Sequence, residues 1–476
     1  MKNLKPIIVL VICLNTLIAF AQNVPSPISY PDTLWSNTDT FYVQFSYSDS
    51  PYTFTTTVSD TIDLGTHGFE DIEMTVWTDS DTLTVSYVNA PLEQILHVPI
   101  GSVADTAIFQ LRFNSSGTIF SKSYITNNKN TSSFSIPETY ELANIILSLS
   151  DCSLLTENRK TNSDYARKVE AYFSPFKSHP LIQNLNNKCA NDGHWETYYG
   201  FRENSICYSF NDNNFLVRNT PYKHVWSDYS KIDGGEFRST LYLVQDFVKK
   251  SNFNAFYSQN IKYYNELEAR QKQLMPVKKM WSWLEKEFPQ RYDAYKIIFS
   301  PLIVGSHATR KFQQGDLFNP DYKECVMFVN APDNLNSKNE YAEKLSEGFQ
   351  SGVVFTEIDH NYVNPASKEN ILAIKELISD FDFWSTIEAR RNYNNEFTIF
   401  NEYFTHSLFC LYTKENYKGD IQKEVISKRI KLMEKRGFKK FKAFNDILLT
   451  AMQNRKTTIY EAFPDIIKEM EVIKRH

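Results

Sequence analysis

The sequence predicts a multidomain chain, with an N-terminal all-β sandwich of immunoglobulin-like type followed by an α+β domain. Three observations predict it. The chain has 476 residues, more than one ordinary hydrophobic core accommodates. Its N-terminal part alternates β-branched and aromatic residues between short polar turns. Beyond residue 137 the apolar spacing becomes helical and is interrupted by dense apolar runs. Composition agrees: 42% hydrophobic and 22% charged residues exclude a disordered chain. Aromatics reach 15%, with 28 Tyr and 35 Phe; they suit large cores first, and a surface handling peptides or glycans second. A net charge of −5 gives no electrostatic case for nucleic acid as a partner.

The first element is residues 1–21. Lys2 and Lys5 precede the apolar run PIIVLVICLNTLIAF, and Ala19-Phe20-Ala21 lies just before Gln22. A charged start, an apolar centre and an A-x-A end predict a secretory signal peptide. The mature chain then begins near Gln22 and is exported, to the periplasm, the cell surface or the medium. The run is short for a membrane anchor. Cys13 lies inside it, not after small residues at its end, which disfavours a lipoprotein signal. No later segment is apolar enough to span a membrane.

Residues 23–132 carry the strand segments TFYVQFSYS, YTFTTTVSD, IEMTVWTDSDTLTVSYV and TAIFQLRFN. Short strands between frequent turns predict the sandwich. His67 and His97 stand alone there, so the segment reads as an accessory module for spacing or binding. NNKNTSS at 127–133 reads as a linker.

The α+β domain spans 137–476. PETYELANIILSLSD opens it as a helix, with Ser135 as candidate cap. SDYARKVEAYFSPF, STLYLVQDFVKKSNFNAFYSQN and NELEARQKQLMPVKKMWSWLEKEF continue as helices. AYKIIFSPLIVG and KECVMFVNAP have the apolar density of buried strands. Helices follow near 340–364, 369–386 and 394–414, then a Lys/Glu-rich helical region from 420 to 474. Helices segregated from a mixed sheet define α+β. Five cysteines follow the leader, Cys152, Cys189, Cys207, Cys325 and Cys410, and no pair has C-x-x-C spacing. Cys189 and Cys207 could close a loop as a disulfide, or both could stay buried thiols.

VVFTEIDHNYVNP (353–365) carries the chemistry. A catalytic zinc takes three protein ligands and keeps one open position for water. Two histidines four apart on a helix face the same way, and a glutamate beside the first reaches the metal-bound water as base. This chain has Glu357 and His360 in that relation, but Thr356 where the first histidine belongs. A neutral hydroxyl is a poor zinc ligand. IFNEYFTHSLF (399–409) supplies Asn401-Glu402, the pattern of a third ligand, and His406 one helical turn after Glu402. The two departures suggest an exchange: His406 replaces the missing histidine. The expected zinc site is then His360, Glu402 and His406, with Glu357 as catalytic base.

At these residues the chain resembles the domain of unknown function 4932 family, secreted bacterial proteins similar to gluzincin metallopeptidases. The resemblance covers roughly residues 137–476. It rests on PETYELANIILSLSD, on YFSPFKSHPLI, on the motif ending Tyr362-Val363-Asn364-Pro365, and on NEYFTHSLFCLY. It implies a zincin-like fold, bound zinc, and hydrolysis of peptide or protein substrates. Family members carry the intact His-Glu-x-x-His, and Thr356 departs from it.

In zincins an edge strand pairs with extended substrate. LIVGSHATRKFQ (302–313) or CVMFVNAP (325–332) fits that role, with His307 at a strand end. Arg390, Arg391 and Tyr393 lie near the third-ligand helix, and one of them could stabilise an oxyanion. Three competing readings use the same residues: an inactive zincin-fold protein that binds peptide or glycan, a di-iron helical site, and a buried network without metal. HWETYYGFRENSICYSF (194–210) could line a cleft, though core packing is the commoner use. KRIKLMEKRGFKKFKAF reads as a solvated basic helix face.

Overall fold

A computed structural model of the chain describes residues 9–11, 28–29, 34–38, 40–45, 52–55, 61–67, 71–80, 82–88, 94–101 and 106–115 in the N-terminal part. From 120 to 475 it describes all residues except 192, 219, 223–224, 227–234, 316–319 and 454. The N-terminal strands form two sheets. One runs Val9–Val11, Thr82–Val88, Asp71–Trp77, Thr40–Phe45, Tyr52–Thr55. The other runs Ile28–Ser29, Gln94–Gly101, Thr106–Ser115, Thr61–His67, with Leu34–Trp35 beside Gln94–Gly101. Phe41 and Val43 are buried while Tyr42 and Gln44 are half-buried, the period-2 alternation of a strand with one face inward. Val98 and Ile100 flank half-buried Pro99 in the same way. His67 ends a strand and His97 lies within one.

Two compact units result. One comprises Met1–Asn127, Pro137–Tyr257 and Phe312–Lys323; the other comprises Asn128–Ile136, Ser258–Lys311 and Glu324–His476. The chain passes from the first unit to the second at Asn127/Asn128 and back at Ile136/Pro137, and it crosses between them again at 257/258, 311/312 and 323/324. Thr131–Ser135, inside or just after the expected linker, is a strand pairing parallel with Ala294–Ser300. Its polar residues look like a linker locally, but the sheet partner decides strand formation. Ser135 accordingly ends a strand, and Pro137 is the N-cap of the helix Glu138–Leu149, with no side-chain cap bond.

In the first unit Cys152 and Cys189 form a disulfide with Cα atoms 5.6 Å apart, joining the helices Asp151–Leu155 and Pro180–Asn191. Cys207 is a buried thiol, so the Cys189–Cys207 alternative is corrected. The disulfide partner lay upstream, where spacing alone gave no signal. HWETYYGFREN is a helix. Fully buried Arg202 lies over the rings of Tyr198 and Tyr199, at 4.8 and 5.0 Å, so this side of the helix packs as core, while Trp195 is exposed.

A four-stranded sheet is ordered Thr131–Ser135, Ala294–Ser300, Pro320–Asn330, Ala308–Gly315. The first three strands are parallel. Cys325 to Val329 are all buried, the near-continuous apolar run of a strand covered on both faces. The motif helix, Glu340–Ile358, starts at Asn339, whose side chain accepts from Ala342 N. Its buried residues are Gly348, Ser351, Gly352, Val354, Phe355, Thr356 and Ile358, a stripe at i, i+3, i+4, i+7 that widens at the C-terminal end. A short second helix, His360–Glu369, follows directly, separated only by Asp359.

The helix Glu396–Asn416 is buried at every residue from Ile399 to Thr413, as expected of a helix enclosed by others. An Asn395–Thr398 capping box starts it. The helix Gly419–Lys435 crosses the motif helix closely. A Cβ at Gly348 would lie 2.6 Å from Val425 Cγ2, and one at Gly352 would lie 2.0 Å from Arg429 Nη2. Two glycines one turn apart let the helices meet and let the Arg429 side chain pass. Among the described residues, no helix is long and apolar enough to cross a membrane.

Candidate functional site

Four helices bring the site together. Glu357 and His360 come from the motif helix and its continuation, and Glu402 and His406 lie one turn apart on the enclosed helix. Arg429 and Arg436 come from Gly419–Lys435 and its C-terminal cap. Glu402 is the hub. His360 Nε2 lies 3.5 Å from Glu402 Oε1, and His406 Nε2 lies 3.3 Å from Glu402 Oε2. Arg436 Nη2 donates to Glu402 Oε2 at 2.8 Å.

Protonation follows from these contacts. Burial would raise Glu402, but bonds from His360 and His406 and the charge of Arg436 outweigh it, holding the carboxyl well below its ordinary range. Burial would lower His360, but its bond to Glu402 and the charges of Glu402, Asp359 and Glu357 raise it to about 9. His360 is thus an imidazolium, with Nδ1 donating to Asn364 Oδ1 at 3.2 Å. Burial lowers His406 and, despite its bond to Glu402, Arg429 and Arg436 push it further, to about 3. His406 is therefore neutral at physiological pH.

Neutrality limits what His406 can do. A neutral imidazole has one N–H and one lone pair. Its Nδ1 lies 2.9 Å from Arg429 Nη1, and its Nε2 lies 2.8 Å from Arg436 Nη1. Guanidinium only donates. In either tautomer the single lone pair accepts from an arginine, and the remaining N–H faces the other arginine. No lone pair is left for a metal.

Thr356 is occupied as well. Its Oγ1 donates to Gly352 O at 2.9 Å, within its own helix. Among the described residues, no group of three His, Cys, Asp or Glu side chains is placed to hold a metal ion. The expected set of His360, Glu402 and His406 gathers around one carboxylate but does not fit zinc as arranged. The reason is Arg436, whose guanidinium bonds both Glu402 and His406.

The remaining candidates fall on both sides. Burial, with the Glu402 charge, raises Glu357 against the charges of His360, Arg310 and Arg436. Thr309 Oγ1, in the sheet's last strand, donates to the Glu357 carbonyl at 3.1 Å. Tyr393 joins the site, because Arg436 Nη2 donates to its hydroxyl. Arg390 pairs instead with Asp382 at 2.6 Å, and Arg391 is exposed. His307 bonds Asn330 Oδ1 at 2.9 Å. Asn401 accepts from Ser367 Oγ at 2.6 Å and so ties the enclosed helix to His360–Glu369.

Three site residues were not read from the sequence. Asp359 is fully buried, and neither carboxyl oxygen finds a hydrogen-bond partner among the described residues. Burial, reinforced by Glu357 and Glu402 against His360 and Arg429, raises it far above its ordinary value. Arg429 and Arg436 sit in the stretch read as a solvated basic face. Their spacing of seven, with buried Val425 and Met433, was the available signal that one side of that helix turns inward. No family model, curated protein or solved structure matches the chain.

Proposed function

We propose that the chain is an exported protein built on a zincin-like scaffold that binds extended peptide without cleaving it. The Thr309–Glu357 bond carries this reading, because it seats the sheet's last strand against the motif helix beside His360 and Glu402. A strand at a sheet edge recruits an extended backbone by main-chain hydrogen bonds. The Tyr393 hydroxyl, which accepts from Arg436, then offers a donor to a peptide carbonyl or carboxylate. Arg436, which bonds Glu402 and meets His406, supports binding over hydrolysis. On this reading the N-terminal sheets form an immunoglobulin-like sandwich that acts as an accessory binding or spacing module, and residues 1–21 direct export.

A zinc-dependent peptidase is the second reading, favoured by one distance. Two donors about 2.1 Å from a tetrahedral zinc lie about 3.4 Å apart, and His360 Nε2 lies 3.5 Å from Glu402 Oε1. Glu357 would then be the general base. An unstructured protein, incubated with the mature chain and zinc, separates the two readings. Peptide binding without cleavage, weakened by Thr309→Pro, supports the first. Turnover abolished by a chelator and by Glu357→Gln supports the second and overturns the first.

A further inference from the structure

We infer that the outer face of the first N-terminal sheet is a binding site for a neutral glycan, with Tyr42 and Trp77 as its stacking platform. The inference gives the N-terminal strands a ligand of their own and does not depend on the peptide site.

Strand alternation sorts the side chains. Phe41, Val43, Val76 and Leu83 are buried and turn one way. Their neighbours Tyr42, Gln44, Thr75, Trp77 and Thr82 therefore turn the other way. Thr53 joins them, because it stands opposite Tyr42. Register lays four of these residues in one row across four strands. Thr53 pairs with Tyr42, Tyr42 with Trp77, and Trp77 with Thr82. Three strand spacings make the row about 14 Å long. Gln44 and Thr75 form the next pair on the same face. Thr53 and Thr82, at the ends of the row, are exposed, and the residues between them are half-buried.

The Tyr42 and Trp77 rings lie 5.4 Å apart at 21°, nearly parallel and offset, an arrangement that aromatic pairs favour. Cross-strand pairing of this kind stabilises a sheet. The surrounding residues add what pairing does not require. The two rings sit in a frame of hydroxyl and amide groups that can both donate and accept. That combination is complementary to a sugar ring, whose C–H face packs on an aromatic ring while its hydroxyl edge meets the frame. Tyr and Trp supply such contact area at small entropic cost, because each fixes only two torsions.

Charge selects among ligands. None of the six side chains carries a formal charge, so phosphate-bearing nucleic acid and anionic lipid find no cation among them. An extended peptide adds to a strand edge, whereas this surface is the face of a sheet. An uncharged, hydroxyl-rich polymer matches it.

The test applies the full mature chain to an array of neutral and anionic oligosaccharides. Calorimetry follows, with the neutral oligosaccharide bound most tightly. Trp77→Ala and Tyr42→Ala should each weaken that binding about tenfold, the loss of one stacking partner. Added salt should leave it unchanged, since no charge pair is involved. Circular dichroism and a melting curve verify the fold. Thr53→Arg and Thr82→Arg, which place a bulky cation at the exposed ends of the row, should also weaken binding. They carry the test should the aromatic variants not fold.

An array with no neutral oligosaccharide bound overturns the inference. So does binding unchanged in every folded variant, or binding confined to anionic sugars and lost in salt. Each of these results leaves the peptide-binding reading standing, because that reading uses other residues.

Discussion

His406 is held between Arg429 Nη1, 2.9 Å from its Nδ1, and Arg436 Nη1, 2.8 Å from its Nε2. One imidazole cannot accept from both. The pair of contacts therefore fixes His406 as neutral and makes the cluster sensitive to changes on any of the four helices that carry it.

Stability should depend on pH with two opposed limbs. His406 has a folded value near 3, below its ordinary 6.5. The unfolded chain binds a proton there first, so this residue lowers stability as pH falls from about 6.5 to 3. His360 has a folded value near 9, above 6.5. Its contribution is complete below pH 6.5 and is lost as pH rises to about 9. Denaturant unfolding across this range should show His360→Gln flattening the alkaline limb and His406→Gln flattening the acid limb. Unchanged limbs in both variants would contradict the assigned protonation states.

Thr356→Val should be nearly silent. The hydroxyl bonds only its own helix, so its removal should change unfolding free energy by no more than about 1 kcal/mol. Zinc content, measured by mass spectrometry, should equal that of wild type.

Gly352→Ala should be costly for one methyl group. The new Cβ would lie 2.0 Å from Arg429 Nη2 and 2.8 Å from two Phe409 ring carbons. The ring also carries the Arg429 guanidinium, 4.7 Å from its centroid, so neither neighbour can yield alone. A loss of about 1–3 kcal/mol in chemical denaturation is expected, with a shift in the His406 imidazole signals by NMR.

Replacing Cys152 and Cys189 together by alanine should lower stability by about 4 kcal/mol, the chain-entropy value for a loop of this length. The bridge spans 37 residues. Equal denaturation midpoints with and without reductant would show that the bond is not constraining the unfolded chain.

Local pattern made the helices legible. The helix near 340–364 and the Asn401–Glu402–His406 turn could be read because their information lies within a few residues. The convergence of His360 on Glu402 followed from the same reasoning. The strand Thr131–Ser135 was not legible, since its partner lies more than 150 residues away. Arg429 and Arg436 were missed for a related reason. A basic helix face looks solvated until the carboxylate it meets is known, and that carboxylate lies 34 residues before Arg436. The disulfide showed the same limit, because five cysteines do not specify a pairing.

The order of synthesis gives the arginine pair a temporal role. His360, Glu402 and His406 leave the ribosome before Arg429 and Arg436. Until the helix Gly419–Lys435 docks through the Gly348 and Gly352 notch, an ionised carboxylate and two imidazoles have no guanidinium beside them. The helix Gly419–Lys435 and its cap thus complete the charge balance of helices made earlier.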